Sequence, residues 1–479
     1  MGMKAFKYRL YPTKAQEAAF NGLFGAVRFV FNYYHTMRSN LYVKKEDLTM
    51  SIPEEYELYD EERSIYRHKE DLTLWYALQN HDLSYNFIKV NEDGSPADFS
   101  LPKEEEPPAE FMWIEDNVYA VFTEERDFVC YVERAKDESG SLLWRICQKP
   151  QKLDFSQFHL SNHFTQLKKR PSFSWLRNYP DVPLRVAIEN LDTAYKNFFD
   201  RIKKGIKPYG YPRRKKRNNS FAIKFEKNSR LLDGDKVILP RYGAVKCVLS
   251  RPLEGRPTRA TISKEPSGEY YISFACTEVD IEKYPSTEKQ IGLSFGIKHL
   301  ATTSDGVTYD NPKYLSKLDK KLRRAARKAS RCQKGSNNSK KAYKAKARIE
   351  ARVRHQREDS MHKLTTQLVK ECDTICVSGM NVKQLMQGSK AARAIADASW
   401  GELRRQLVYK AGWRGKQVIV VDKEIPVRQI CSNCGAVCPS ERKNKKEKWV
   451  CPHCNTEHTR GVNTAKNILT QGLKSISES

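Results

Sequence analysis

No apolar run in this sequence approaches the roughly 18 consecutive residues that a membrane-spanning helix needs, and the mean hydropathy is −0.70. An integral helical membrane protein is excluded. Behind the opening Met-Gly-Met-Lys-Ala-Phe-Lys there is neither an apolar h-region nor a small-residue cleavage site, so the expected location is the cytoplasm. Acidic side chains are scarce: 58 Asp and Glu stand against 85 Lys and Arg, a formal net charge of +27. A chain this basic is expected to meet a polyanion, nucleic acid first, and no membrane. Disulfides are not expected in that compartment; of the 12 cysteines four cluster at metal-ligand spacing, and the others are mostly scattered like reduced core residues. At about 150 residues per domain, 479 residues suggest roughly three domains.

The charge is unevenly spread. Residues 51–150 hold 24 Asp and Glu against 10 Lys and Arg, a balance of −14, so the other 379 residues carry +41. This acidic insert contains Glu104-Glu105-Glu106-Pro107-Pro108 and an aromatic, alternating stretch from Phe111 to Val132 that reads as short strands. It is either a solvated accessory lobe or a surface that binds protein or mimics nucleic acid. Residues 317–357 are biased the other way, with 17 Lys and Arg against Asp319 and Glu350, interrupted by the turn-like Lys334 to Asn338. Interspersed alanines keep helix propensity high, so a basic helical hairpin is expected, with Arg323, Arg324, Arg327, Lys328 and Arg331 tracking a phosphate backbone. A second run, Arg213, Arg214 and Lys215, follows Tyr209-Gly210-Tyr211. Rings beside guanidinium groups suit nucleic acid, and a solvated loop fits nearly as well.

Ala5 to Leu10 alternates like a half-buried strand, and Thr13-Lys14-Ala15-Gln16 supplies a capping box for a helix towards Met37. Leu184, Ile188, Leu191, Tyr195, Phe198 and Ile202 mark an amphipathic helix from about 184 to 203. Alternating runs between Phe221 and Thr277 suggest antiparallel strands in a sheet or small barrel. After Pro285 the pattern changes to strands at Gln290 to Thr302 and Val307 to Tyr309, the basic hairpin, a buried strand at Thr374 to Val377, a helix around Trp400 to Trp413, and a strand from Lys416 to Val421. That is an α/β arrangement.

Cys431-Ser-Asn-Cys434 and Cys451-Pro-His-Cys454 form two C-x-x-C knuckles with 16 residues between Cys434 and Cys451. Each knuckle puts two thiolates on one tight turn, and folding the intervening ribbon back closes a four-sulfur tetrahedral site for a structural zinc. A redox pair is the alternative; Cys438, His453 and His458 read as neighbours rather than ligands.

Taken together, Lys4 to Gln16, Phe29-Val-Phe-Asn32, Leu191 to Phe199, Ile291 to Gly306, Asn381-Val-Lys383, and the knuckles followed by Asn463 to Leu469 resemble the TnpB family of transposon-encoded RNA-guided nucleases, relatives of type V CRISPR effectors. The resemblance implies a multidomain α+β fold. A β-barrel wedge domain (1–12 and 205–285) would carry an inserted helical recognition lobe (13–204, with the acidic insert at about 45–150). A RuvC-like, RNase H-type α/β domain (286–425 and 459–479) would follow, holding a zinc-ribbon target-nucleic-acid-binding module (426–458). The implied partners are a guide RNA and double-stranded DNA beside a short flanking motif.

A RuvC nuclease needs carboxylates from three segments to hold two divalent metals. The family pattern I-G-x-D-x-G reads here Ile291-Gly292-Leu293-Ser294-Phe295-Gly296, with a hydroxyl at the acidic place. The second segment should end its strand in Glu; here Val377 is followed by Ser378-Gly379. The third should read D-R-D; here it is Thr459-Arg460-Gly461. Replacement acids such as Asp305, Asp373 or Glu457 are the alternative. The expectation is that no catalytic magnesium is held and that the protein binds its target without cutting it, as in the nuclease-dead TnpB-derived repressors called TldR, which block RNA polymerase at a promoter in the bacterial nucleoid. A guide-RNA-binding protein without DNA targeting is the remaining reading. Arg185 stands where the family contacts the flanking motif, although such arginines also serve as phosphate clamps, and Lys7, Arg9 and Tyr11 are further contact candidates on the first strand.

Overall fold

The computed structural model describes residues 2–40, 53–61, 64–79, 85–92, 111–115, 118–122, 128–136, 142–148, 155–216, 220–224, 232–387, 389, 391–438 and 447–477. Alternation in β1 (Gly2–Tyr11) turns Phe6, Tyr8 and Leu10 to one face, each no more than 1% exposed. Helix α1 (Lys14–Asn40) opens on a reciprocal capping box: the Gln16 amide donates to Thr13 Oγ1 (3.3 Å) and the Thr13 amide to Gln16 Oε1 (3.1 Å). Its buried stripe is Phe20, Leu23, Phe24, Val27, Val30, Phe31, Tyr34 and Met37, the spacing of one helical face.

Two antiparallel four-stranded meanders follow. The first is β2 (Tyr56–Asp60), β3 (Ile65–His68), β4 (Leu74–Gln79) and β5 (Tyr85–Val90); the second is β6 (Phe111–Glu115), β7 (Val118–Phe122), β8 (Phe128–Lys136) and β9 (Leu142–Cys147). Among the described residues, the segment expected as a helical lobe (13–204) therefore contains eight strands beside α1 and the helices α2 (Gln157–Leu167) and α3 (Asp181–Lys203). The Glu104 to Pro108 run lies outside the described residues. Helix α3 starts three residues before the periodic pattern does, because Pro183 costs nothing in a first turn that has no intrahelical acceptor for its missing N–H.

The chain then returns to β1. Strands β10 (Ser220–Lys224), β11 (Leu232–Asp233), β12 (Lys236–Leu239), β13 (Gly243–Val248), β14 (Arg256–Lys264) and β15 (Tyr270–Val279) complete a seven-stranded sheet in the order β10-β14-β15-β1-β13-β12-β11. Among the described residues no ladder joins β10 to β11.

The C-terminal half is built on a five-stranded mixed sheet. Its strands β16 (Gln290–Phe295), β17 (His299–Thr303) and β18 (Thr308–Asp310) form a meander; helices α4 (Tyr314–Arg331) and α5 (Asn337–Glu371) lead to β19 (Thr374–Ser378); α6 (Val382–Met386), α7 (Ala392–Ala398) and α8 (Trp400–Arg414) lead to β20 (Gln417–Val421). The order is β18-β17-β16-β19-β20, with β16, β19 and β20 parallel. Parallel strands need covering on both faces. The carboxyl-terminal half of α5 together with α8 covers one, through Met361, Leu364, Leu368, Leu403 and Leu407. The other carries α9 (Arg460–Ser477), reached through the short hairpin β21 (Lys448–Val450) and β22 (Glu457–Thr459). Gly292 permits that approach, because a Cβ there would overlap the carbonyl oxygen of Ala465.

Candidate functional site

The two cysteine knuckles fold by the same local rule. In each, the amide of the first cysteine bonds the carbonyl five residues on (Cys431 to Ala436, 2.9 Å; Cys451 to Thr456, 3.0 Å). The residue after each second cysteine takes positive φ, Gly435 at 75° and Asn455 at 53°, residue types that tolerate the left-handed region. The four Sγ atoms lie within 4.8 Å of one another, with Cys431–Cys454 at 3.6 Å and Cys434–Cys451 at 3.8 Å. Tetrahedral zinc with Zn–S of about 2.3 Å requires sulfurs about 3.8 Å apart. The donor set fits that ion. Hydrogen bonds from the Thr456 hydroxyl and then the Thr456 amide hold the Cys454 thiol down at about 5, towards the thiolate a metal needs. His458 is no ligand: its Nε2 stands 3.0 Å from Cys431 Sγ under the Trp449 ring, an outer donor to a bound thiolate. His453 is exposed and Cys438 is buried beside the cluster.

Three separate segments converge at the carboxyl-terminal edge of the parallel strands. Leu293 aligns with Val377 on β19, so Ser294 and Ser378 follow side by side, and Ser294 pairs across β17 with Thr302. Gly461, second residue of α9, sits over Thr302: a Cβ there would lie 3.1 Å from Thr302 Oγ1. Gly379 lies close against the end of β20, its amide bonding the Val421 carbonyl at 2.8 Å, where a Cβ would meet the same oxygen at 2.6 Å. Thr302 carries no motif and pairs with Ser294 only through strand register, so sequence reasoning had no signal for it.

The candidate replacement acids lie elsewhere. Asp305 is held by Thr303 and by Lys289 (2.9 Å), and Asp373 by Lys416, Ser286 and the amides of Thr287 and Glu288. Both stand at the amino-terminal end of the parallel strands. Glu457 faces Lys448 on the ribbon at 3.0 Å. On the Ser294 side, Asp310 is engaged with His299 (2.9 Å), Glu447 with Lys298 (2.6 Å), and Asp422 with the Glu424 amide (2.9 Å).

Of the basic candidates, those on α4 present themselves to solvent as a group. A groove of about 960 Å³ is lined by Arg323, Arg324, Arg327, Lys328 and Arg331, and among the described residues only Arg323 has a carboxylate, Asp319 at 2.7 Å. Asp397 ties the hairpin to α7 by accepting from the Leu315 amide and from Arg357 (2.6 Å). Arg185 is bound within the fold, donating to Asp181 (2.5 Å), the Ser161 carbonyl (3.1 Å) and Thr165 Oγ1 (2.9 Å), and so ties α3 to α2. Lys7 pairs with Glu265 (3.2 Å) and Arg9 with Glu269 (2.8 Å), while Tyr11 is half exposed beside Arg9. Arg213 and Arg214 are exposed; Lys215 instead packs its ammonium on the Phe31 ring, and burial lowers its basicity. That loop is stapled to α1 by Asn32, which both donates to the Lys215 carbonyl (2.9 Å) and accepts from its amide (2.7 Å).

Comparison with known proteins places this architecture. A family described as "Probable transposase" (IS605 OrfB) matches residues 273–388, a "Cas12f1-like, TNB domain" matches 400–468, and a "Helix-turn-helix domain" matches 1–46, where residues 2–40 form a strand and one unbroken helix. A Streptomyces pristinaespiralis protein named "Putative RNA-guided DNA endonuclease" is 37% identical over 313 residues, covering 64% of this chain and 76% of the relative. The Escherichia coli K12 relative of the same description, InsQ, is 31% identical over 330 residues, covering 65% and 80%. This chain belongs to the TnpB (IS605 OrfB) family. The mimivirus "TnpB-like protein L79" is a more distant TnpB relative, 23% identical with 61% and 57% covered. A cryo-EM structure of a Cas12f1-sgRNA-target DNA complex aligns over 60% of this TnpB-family chain and 70% of its own, with TM-score 0.38 and 14% identity. Among the described residues, no helix is long and apolar enough to cross a membrane.

Proposed function

We propose that this TnpB-family chain is an RNA-guided protein that binds double-stranded DNA without cutting it and represses transcription by occupying a promoter. One observation carries the reading: Ser294, Ser378 and Gly461, from three distant segments, meet at one sheet edge, where the family relationship calls for carboxylates. Hydroxyls and a bare glycine do not fit a pair of divalent metals, which need bridging carboxylates. The pairing of Asp305 and Asp373 with Lys289 and Lys416 at the opposite end speaks against displaced catalytic acids.

In this reading guide pairing supplies sequence specificity, and protein side chains read a short flanking motif. The cationic strip on α4 holds a nucleic-acid backbone by charge. The seven-stranded sheet takes the part of the wedge domain, α1 to α3 with the two meanders form the recognition lobe, and the ribbon, with zinc bound, steadies the target-binding module. RNA polymerase is excluded by occupancy.

Sequencing the RNA and DNA that co-purify with the protein expressed from its native flanking DNA tests this. The expected result is one short RNA whose end matches an enriched, intact promoter. RNA with no matching locus would instead favour a guide-RNA-binding protein without DNA targeting.

A further inference from the structure

The first meander has two apolar faces, and the core takes only one of them. Residues two apart on a strand, and cross-strand partners, share a sheet face. Tyr56, Leu58, Tyr66, Trp75 and Phe87 therefore lie together on one side of β2 to β5. The other side sends Ile65, Leu74, Tyr76, Ile88 and Val90 into the core. On the aromatic side Leu58 is 53% exposed and the rings are half-buried. The sheet curls enough for Tyr56, on one edge strand, to stack on Phe87 of the other edge strand at 4.8 Å, while the Trp75 ring stands edge-on to Tyr56 at 6.2 Å.

Charge decides what such a face can take. Between residues 53 and 92 the sequence holds 10 Asp and Glu against 4 Lys and Arg. Burial and then the neighbouring Glu55 and Asp71 carboxylates push the Tyr56 phenol up, which places both acids at the margin of the rings. The cationic groups on the same face, His68 and Lys89, both stand near Asp71, His68 at 3.1 Å. This balance repels a phosphate backbone, whereas a cation on an apolar stem gains from the carboxylates and the rings together. The meander already holds one such arrangement: Arg67 lies 5.8 Å over the Tyr59 ring and donates to Glu57 at 2.7 Å. These strands lie outside the stretches that the family models match, so family membership does not account for the face.

We propose that the aromatic face of the first meander, with Glu55 and Asp71 at its margin, is a docking surface for a basic segment of a partner protein, whose Arg and Lys side chains lie over Tyr56 and Trp75. The acidic insert is then the part of this chain that recruits protein, whether or not the chain cuts DNA.

The test uses the zinc-loaded full chain, freed of nucleic acid. The probe is a short synthetic peptide alternating arginine and leucine, with a glutamate-leucine peptide of the same length as its counterpart. The arginine peptide is expected to bind and to slow hydrogen exchange in β2 to β5. Tyr56→Ser/Trp75→Ser is expected to weaken it roughly tenfold, with unchanged exchange in the second meander showing that the insert still folds. Glu55→Gln/Asp71→Asn, which keeps every ring, is expected to weaken it at low salt, by a margin that shrinks as salt rises. Equal affinity in the parent and both variants would overturn the proposal, as would protection outside β2 to β5 or equal binding of the glutamate peptide. A single-stranded oligonucleotide that protects β2 to β5 better than the peptide does would overturn it in favour of base stacking. A peptide-independent dimer that Tyr56→Ser/Trp75→Ser dissolves would assign the face to a second copy of this chain instead.

Discussion

Cys431, Cys434, Cys451 and Cys454 bring their sulfurs to within 4.8 Å of one another because each knuckle is made within six residues. Local geometry of that kind is legible in spacing, and it predicts one zinc per chain by metal analysis. Cys451→Ser is expected to release the zinc and unfold the ribbon, read as loss of metal together with new thiol reactivity. The Asp181 carboxyl is pushed up by burial but pulled lower by hydrogen bonds from Lys168 and Arg185, and the net effect leaves it below its ordinary range. Its stabilising contribution is then complete above the unfolded carboxylate value and lost as pH falls through the depressed one. Asp181→Asn should lower the melting temperature at pH 7, and the difference from the parent should shrink as pH drops below about 4. Gly292→Ala tests the close approach of α9: collision with the Ala465 backbone is expected to cost roughly 3 kcal/mol in denaturant unfolding. Thr302, Glu265 and Glu269 were beyond sequence reading for the opposite reason. Glu265 meets Lys7 from 258 positions away, and no periodicity encodes such a pairing.

Helix periodicity foretold α1 and its cap, and the alternation of Phe6, Tyr8 and Leu10 foretold β1, since both patterns are complete within one element. The basic hairpin was visible as charge, but α5 runs on to Glu371, beyond the charged stretch, because Met361, Leu364, Leu368 and Val369 continue its apolar stripe onto the sheet. The first meander escaped notice. Its strands keep Tyr56, Trp75 and Phe87 on the face opposite buried Leu74, Tyr76 and Ile88, so both faces are apolar and the period-2 signal is blurred. Helix α4 carries the element-scale prediction. Replacing Arg324, Arg327 and Arg331 by Gln should reduce the salt slope of single-strand binding by about 2, near 0.7 per lost phosphate contact, while leaving the melting temperature unchanged or higher because the like charges no longer repel.

At the scale of the molecule, residues 51–150 carry −14 and the other 379 residues +41, and the fold gives part of that positive charge a form: an exposed strip on α4 in which, among the described residues, only Arg323 has a carboxylate partner. Family membership rests on relatives named for RNA-guided DNA cleavage, and the proposed reading turns on Ser294, Ser378 and Gly461, which meet at one sheet edge. The decisive measurement pairs binding with cleavage on one substrate. The purified protein with its co-purified RNA is incubated with a plasmid carrying the matching target and flanking motif, with and without magnesium, and both retention and strand breaks are scored. The account predicts guide-dependent retention of an intact plasmid under both conditions. Magnesium-dependent cutting at the guided site would contradict it.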